Sequence, residues 1–175
     1  ARELGLNDVF RANGPAGVAA LAFGTESIPK VRKVVGPGSP PVAAAQIECQ
    51  RHGCHTQMLL GPTESLVIAD DSADAGLLAL DLLIEAEHGP DSATVLVTPS
   101  AELIERVDVE LVRLIEQLPE PRRGYARIAL GENGGAVRCR DLDEAAAIAN
   151  AYAPEHMQIA TADDEAVLAL IDHAG

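Results

Sequence analysis

The sequence predicts an α/β fold, in which a parallel sheet has helices on both of its faces. Short runs of β-branched residues alternate with longer amphipathic or apolar stretches, which is typical of strand–helix units. The 175 residues are 47% apolar but include no Trp and only two Tyr and two Phe. A core built from Ala, Leu, Val and Ile favours helices packed on a sheet. This length suits one domain or two small ones.

The predicted elements follow from these runs and from the turn residues between them. Strands are predicted at residues 8–12, 33–35, 65–69, 94–98, 136–139 and 157–161. Helices are predicted at residues 17–23, 42–52, 73–88, 101–117, 143–153 and 164–173. Ser100 and either Asp141 or Asp143 are the expected helix caps. Residues 118–124, rich in Pro, Glu and Arg, are the most linker-like stretch, and both ends of the sequence look cut from something longer.

The charge balance excludes several classes of partner. With 13 basic and 27 acidic side chains, the formal charge is −14, which repels nucleic acid and anionic membranes. No apolar run approaches the roughly 20 residues that span a bilayer, and no secretion signal is recognisable at the N-terminus. Three cysteines, an odd number, suggest a reducing compartment rather than a disulfide framework. We therefore expect a soluble cytoplasmic protein that binds neither nucleic acid nor membranes.

Two pairs of side chains could take part in chemistry. Glu85 and His88 are three residues apart at the end of a predicted helix, so they share a helix face and could bind one metal ion. A structural role is the alternative, because a His in the last turn also suits the helix dipole. Glu155 and His156 follow Pro154, which ends the preceding helix. An adjacent acid and imidazole can divide proton-transfer duties, although most such pairs are ordinary surface residues.

The predicted topology places these pairs on one edge of the sheet. His88 and the Glu155–His156 pair each lie between a helix and the strand that follows it, and residues 61–64 likewise precede a strand. Connections of this kind meet at a single edge of a parallel sheet. Ligands of open α/β sheets usually bind at the opposite, carboxyl edge. A site shared with another domain or subunit would remove this conflict.

Two glycine turns follow predicted strands at the carboxyl edge. Residues 13–17 (NGPAG) and 36–39 (GPGS) each lead into a helix, where backbone can approach a ligand and helix N-termini favour phosphate. Neither turn has the full dinucleotide-binding pattern, and turns of this kind often have no further role. Cys49, His52, Cys54 and His55 resemble a metal cluster, but four ligands within seven residues would be hard to fold around one ion. Cys139 is expected to be a small buried residue.

Five segments, in order, are similar to the histidinol dehydrogenase family along nearly the whole chain. They are residues 19–31 (AALAFGTESIPKV), 35–38 (VGPG), 61–64 with 66–70 (GPTE and LVIAD), 86–92 (AEHGPDS) and 150–156 (NAYAPEH). The resemblance implies a Rossmann-like parallel sheet with helices on both faces, incomplete at both ends. It also implies a division into residues 1–63, part of an NAD-binding half, and residues 64–175, a second half with the catalytic and zinc residues.

The resemblance implies an enzyme of histidine biosynthesis, a homodimer that oxidises L-histidinol to L-histidine through the aldehyde with NAD and zinc. By resemblance, Glu155 activates water for the aldehyde step, and His156 takes the proton of the substrate hydroxyl. Glu85 and His88 stand at zinc-ligand positions. The substrate contacts implied are Thr63, Glu85, His88 and His156, and the NAD contacts implied are Ala16 and Ser39.

Four of these positions depart from the family. Glu85 stands where the family has Gln, Thr63 where it has Ser, Ala16 where it has Gln and Ser39 where it has Asn. The family's remaining zinc ligands, an Asp and a His, correspond to positions after Gly175. The chain by itself is therefore expected to bind zinc poorly and not to turn over histidinol. Two alternatives remain open: a paralogue that oxidises a different amino alcohol or diol, and a non-catalytic α/β domain that kept the fold.

Overall fold

The protein divides into two units, Ala1–Gly61 and Pro62–Gly175. Its structure, a computed structural model, describes residues 2–56 and 61–175. The sequence placed the division two residues later, after Thr63. In the first unit, a short 3-10 turn, Arg2–Leu4, precedes helix α1, Gly14–Phe23. Strand β1, helix α2 and strand β2 follow, at Lys33–Val34, Pro40–Gln50 and His55–Thr56.

A small apolar core holds the first unit together. Strands β1 and β2 are parallel, with Lys33 opposite His55. Val18 and Ala22 of α1 pack against Cys49 of α2 and against Cys54, and all four side chains are buried. Cysteine behaves here as a small apolar residue.

The second unit contains a four-stranded parallel sheet with helices on both faces. Its strands are β3 (Glu64–Ala69), β4 (Ala93–Thr98), β5 (Gly135–Arg138) and β6 (His156–Ala160), in the order β5-β4-β3-β6. Its helices are α3 (Ala75–Ala86), α4 (Ala101–Ile115), α5 (Arg122–Gly131), α6 (Leu142–Tyr152) and α7 (Asp164–Leu168). The α/β prediction is confirmed.

Strand β3 shows why helices cover both faces. Successive side chains of a strand point to opposite faces. Leu66 and Ile68 therefore pack with α6 and α7, whereas Val67 and Ala69 pack with α3 and α4. All four are at most 1% exposed. Complete burial of a Val, Leu or Ile side chain contributes about 1.5–3 kcal/mol, so this central strand is a main source of stability.

Three of the predictions for local structure are wrong. The predicted strand at residues 8–12 is neither strand nor helix, and its five residues are exposed without a neighbouring strand among the described residues. Residues 118–124 are not simply a linker, because α5 begins at Arg122. The helix predicted at 164–173 ends at Leu168, and residues 170–173 instead make hydrogen bonds to the side chain of Asn150. In the last two cases contacts with residues distant in the chain decide the outcome.

The part of the chain that the structure describes includes no helix long and apolar enough to cross a membrane.

Candidate functional site

The predicted polar groups lie at the edge of the second unit's sheet where β4, β3 and β6 begin, which we call the amino edge. Helix α3 ends just before β4 and α6 just before β6, so the connections that follow these helices reach this edge. Because β3 lies between β4 and β6, the two connections flank the start of β3. Neighbouring strands are about 4.8 Å apart, so β4 and β6 are separated by roughly 10 Å.

Glu85 and His88 lie at the end of α3. The side chain of Glu85 is 25% exposed and that of His88 is 56% exposed, with 3.8 Å between Glu85 Oε2 and His88 Nδ1. The same ring nitrogen lies 3.2 Å from the Glu85 carbonyl oxygen. Zinc binds oxygen and nitrogen ligands at about 2.0–2.2 Å, which places two tetrahedral ligand atoms roughly 3.4 Å apart. The pair therefore brings a carboxylate oxygen and an imidazole nitrogen to about the spacing of two zinc ligands, and His88 Nδ1 would have to give up its contact with the Glu85 carbonyl to bind the metal.

Glu155 and His156 occupy the connection from α6 to β6. Ala153 ends the helix in the left-handed conformation, at φ 52° and ψ 62°, and its N–H donates to the Ala149 carbonyl. Pro154 is buried, so the chain is fixed just before the acidic residue. His156 is the first residue of β6 and lies opposite Ser65 of β3. The two side chains, 48% and 56% exposed, approach to 3.8 Å between Glu155 Oε2 and His156 Nε2.

Thr63 lies at the same edge, just before β3. Its carbonyl oxygen accepts a hydrogen bond of 2.9 Å from the Ala93 N–H at the start of β4. Thr63 precedes Ser65, the partner of His156, by two residues. The structure thus brings Thr63, Glu85, His88, Glu155 and His156 to one edge, as the topology predicted.

Sequence reasoning did not single out the pair Glu64 and Tyr152 at this edge. Burial raises the pKa of the Tyr152 phenol, and the negative charge of Glu64 raises it further. The phenol therefore stays protonated at neutral pH and can donate a hydrogen bond. The signal in the sequence is that both residues lie within the segments 61–64 and 150–156, which also contain Thr63 and Glu155.

A cavity of about 720 Å³ lies in the first unit, between its two glycine turns. A volume of roughly 300–1,000 Å³ is typical of small-molecule sites. Asn13, Gly14 and the turn 36–39 line it, and the N-termini of α1 and α2 begin there. Ser39 is a lining residue, whereas Ala16 is exposed in the first turn of α1 outside the lining.

Gln46 fixes the second glycine turn from inside the unit. Its side chain is 3% exposed, and its Nε2 donates to the Gly36 carbonyl at 3.1 Å. Its Oε1 accepts from the Thr56 hydroxyl at 3.2 Å, which links the turn to β2. A buried amide with both a donor and an acceptor satisfied makes this wall of the cavity rigid.

The cysteine and histidine cluster of the first unit is dispersed. Cys49 and Cys54 are buried in the apolar core, and burial raises the pKa of the Cys49 thiol, as do the charges of Cys54 and Glu48. His52 is exposed, pairs with Glu48 at 3.5 Å and packs edge-on against Phe23. Across residues 2–56 and 61–175, no three His, Cys, Asp or Glu side chains converge as a metal site would require.

Fold and site together define an α/β protein whose parallel sheet presents an acid–imidazole pair at its amino edge. A family model described as histidinol dehydrogenase matches residues 1–175. The chain is 46% identical over 171 residues to a histidinol dehydrogenase of Thermus thermophilus, and 42% identical over 175 residues to "histidinol dehydrogenase homolog 2" of Mesorhizobium japonicum. These alignments cover 98% and 99% of this chain. The chain belongs to the histidinol dehydrogenase family.

The fold agrees with that of a solved member of the family. The crystal structure of histidinol dehydrogenase from Elizabethkingia anophelis matches with a TM-score of 0.89 and 34% sequence identity. The match covers 99% of this chain and 40% of that chain. The chain likewise spans 40% of the length of the Thermus and Mesorhizobium relatives.

Proposed function

We propose that this chain is part of an NAD- and zinc-dependent oxidoreductase that converts L-histidinol to L-histidine through the aldehyde. Membership of the family supports the reaction, and the amino edge supports the placement of its chemistry. The observation with most weight is that Glu155 and His156 form a partly exposed pair between α6 and β6, at the same edge of the sheet as Glu85 and His88. We place the enzyme in the cytoplasm as a homodimer. The three cysteines of this chain are unpaired.

The acid–imidazole pair divides two proton transfers. In the first oxidation, His156 takes the hydroxyl proton of the alcohol as the aldehyde forms. NAD⁺, when bound, would supply the hydride acceptor for both oxidations. In the second, Glu155 takes a proton from water as the water oxygen adds to the aldehyde carbon. Loss of hydride from the resulting hydrate anion gives the acid, and release of the acid's proton to solvent leaves the carboxylate. An exposed pair suits this role because both groups reach substrate and exchange protons with solvent.

Glu85 and His88 would hold zinc together with ligands from outside this chain. Zinc held there would supply a positive charge that helps to keep the substrate in place. Thr63, at the start of β3, would contact the substrate through its hydroxyl. The first unit's cavity would take part of NAD, with Ser39 at its wall and Ala16 beside it. Helix N-termini of this kind favour phosphate groups.

A paralogue that oxidises another amino alcohol or a diol is the second candidate. Two observations favour it: four implied contact positions differ from the family pattern, and one similar protein is itself called a homolog. A Glu in place of Gln at position 85 adds a negative charge next to zinc, which would change the preference for substrate charge. Both candidates share the fold and the edge, and they differ in substrate.

The decisive experiment measures NADH formation by the full-length protein. We expect turnover with L-histidinol that stops when zinc is removed by a chelator and returns when zinc is added. Turnover with another amino alcohol or diol but not with histidinol would favour the paralogue. Separate calorimetric titrations that detect neither zinc nor NAD binding would favour a non-catalytic domain.

A pair of variants in one helical turn tests the zinc ligand. Glu85→Ala should weaken zinc binding at least about tenfold, since it removes a ligand. Glu87→Ala is the matched control, because Glu87 pairs with Arg122 at 3.4 Å and has no part in the proposed site. Equal zinc affinity in the two variants would contradict the assignment of Glu85. The 175-residue chain alone should bind zinc weakly and form no NADH.

A further inference from the structure

The side chain of Asn150 ties the last turn of α6 to the segment that follows α7, residues 170–175. Asn150 Nδ2 donates to the Leu170 carbonyl at 2.8 Å. Its Oδ1 accepts from the N–H groups of Asp172 and His173, at 2.7 and 3.1 Å. One amide group thus satisfies three backbone groups of a segment that is neither helix nor strand. Without it, those groups would lose their partners.

The same segment lies against the backbone of the acid–imidazole pair. The Gly175 N–H donates to the Pro154 carbonyl at 3.0 Å. A Cβ added at Gly175 would come within 2.5 Å of the Glu155 carbonyl oxygen, which only a glycine avoids at this approach. The backbone of Pro154 and Glu155, which follows the end of α6, is therefore in direct contact with Gly175.

The positions of Glu155 and His156 depend on the backbone more than on the contact between their side chains. Their side chains meet at 3.8 Å, which is too long for a hydrogen bond, and both are about half exposed. The contact between the side chains is thus too weak to fix them. Their placement depends on the peptide from Pro154 onward, and the segment tied by Asn150 is packed on that peptide.

We propose that Asn150 is a positioning residue for Glu155 and His156, acting through residues 170–175. The inference rests on the proposed function for its kinetic consequences but not for its structural ones. Because Gly175 touches the Glu155 carbonyl, loss of the Asn150 hydrogen bonds displaces Glu155 more than His156. Oxidation of the aldehyde, which uses Glu155, is therefore more sensitive than oxidation of the alcohol.

Two variants of Asn150 and one control variant, made in the full-length protein, test the positioning role. Rates are measured with the alcohol and with the aldehyde as starting substrates. Asn150→Ala should lower the rate from the aldehyde by about tenfold or more, since small displacements of a catalytic group are costly. The ratio of the aldehyde rate to the alcohol rate should fall at least about threefold. Loss of folded enzyme cancels in this ratio. Asn150→Asp, which keeps the acceptor but loses the donor, should lie between wild type and Asn150→Ala.

The control is Asp141→Ala, at the other end of the same helix. Asp141 caps α6 by accepting from the Glu144 N–H at 2.9 Å, and its loss should cost stability without changing the ratio. Amide hydrogen exchange is the readout independent of activity: Asn150→Ala should speed exchange at residues 155–157, and Asp141→Ala should not. An unchanged ratio and unchanged exchange in Asn150→Ala would overturn the proposal, as would an equal change in Asp141→Ala.

Two further results keep this inference separate from the proposed function. If wild type oxidises neither substrate, the proposed function fails, and the exchange measurement still decides the role of Asn150. If Asn150→Ala does not fold, Gly175→Ala takes its place, because its added Cβ meets the Glu155 carbonyl directly. A normal ratio and normal exchange in Gly175→Ala would then overturn the proposal.

Discussion

Polar side chains are hydrogen-bonded differently at the two edges of the second unit's sheet. At the carboxyl edge, Asp70 Oδ1 accepts from the Ser72 N–H at 2.9 Å and from the Ser72 hydroxyl, and its Oδ2 accepts from the Ala162 N–H at 3.0 Å. Asp164 likewise accepts from the Thr161 N–H and hydroxyl, at 2.8 and 3.0 Å. These groups hold the turns that leave the strands.

At the amino edge, the side chains interact loosely with one another. The Glu85–His88 and Glu155–His156 pairs are both separated by 3.8 Å, and both imidazoles are 56% exposed. All four side chains keep exposed surface from which they can reach a ligand, and His88 Nδ1 also lies 3.2 Å from the Glu85 carbonyl oxygen. Ligands of open α/β sheets generally bind at the carboxyl edge, but here that edge's polar groups already bond within the chain. At the carboxyl edge these bonds stabilise the fold, and the looser contacts at the amino edge support the proposed placement of catalysis there.

The largest expected effect is a loss of activity when a side chain of the amino edge is removed. His156→Ala should lower kcat by about 10²–10⁴-fold, the usual contribution of a positioned acid–base group. Thermal stability should barely change, because the side chain is 56% exposed. Steady-state kinetics and a thermal melt of the full-length protein measure both quantities. His52→Ala, which removes another exposed imidazole, should leave kcat unchanged, and a similar loss in both variants would contradict the comparison.

A substitution at the carboxyl edge should lower stability and leave activity unchanged. Asp70→Asn should destabilise the protein by about 1–2 kcal/mol, because an NH₂ group would replace an oxygen that accepts from backbone or hydroxyl. Burial of the Asp70 carboxyl acts to raise its pKa, but hydrogen bonds from Ala162 and Ser72 hold the pKa below the usual value. The activity of the folded protein with histidinol should be retained.

The sign of the pH dependence follows from the lowered pKa. The ionised carboxyl stabilises the fold at pH values above the unfolded pKa of about 3.9, and this stabilisation disappears as the pH falls through the lower folded value. Melting temperatures measured from pH 7 downward should therefore show the wild type and Asp70→Asn converging below about pH 4. A gap that stays constant to pH 3 would show that the Asp70 charge is unimportant.

The smallest effect concerns backbone strain at the amino edge. Ala153 adopts a positive φ of 52°, which costs an alanine roughly 1 kcal/mol. Ala153→Gly should stabilise the protein by about 0.5–1 kcal/mol and leave kcat unchanged, because the backbone already has this conformation. Ala151→Gly, two residues earlier and inside α6, should destabilise by a similar amount. A lower kcat in Ala153→Gly would show that rigidity at Ala153 contributes to catalysis.

Some strands and helices could be predicted from the sequence, and others could not. Residues 65–69 and 94–98 were predicted as strands, and β3 and β4 contain them, because continuous β-branched runs need burial on both faces. Helix α5 was missed because Pro119 and Pro121 precede it and Gly124 lies in its first turn. Its Ala126 and Ala129 are buried against Leu83 and Ala86 of α3, a contact that local sequence does not show. Strand β2 was missed because two residues form a strand only when paired with β1.

The sequence by itself determined the α/β class, the family resemblance and the placement of Thr63, His88 and the Glu155–His156 pair before strands. These follow from local periodicity and from the rule that connections into parallel strands share an edge. Only the tertiary structure decided that β3 lies between β4 and β6 and that residues 170–175 pack on the Glu155 backbone. Strand order and the contacts of Asn150 join residues far apart in the chain, and their stability comes from packing that no local pattern specifies.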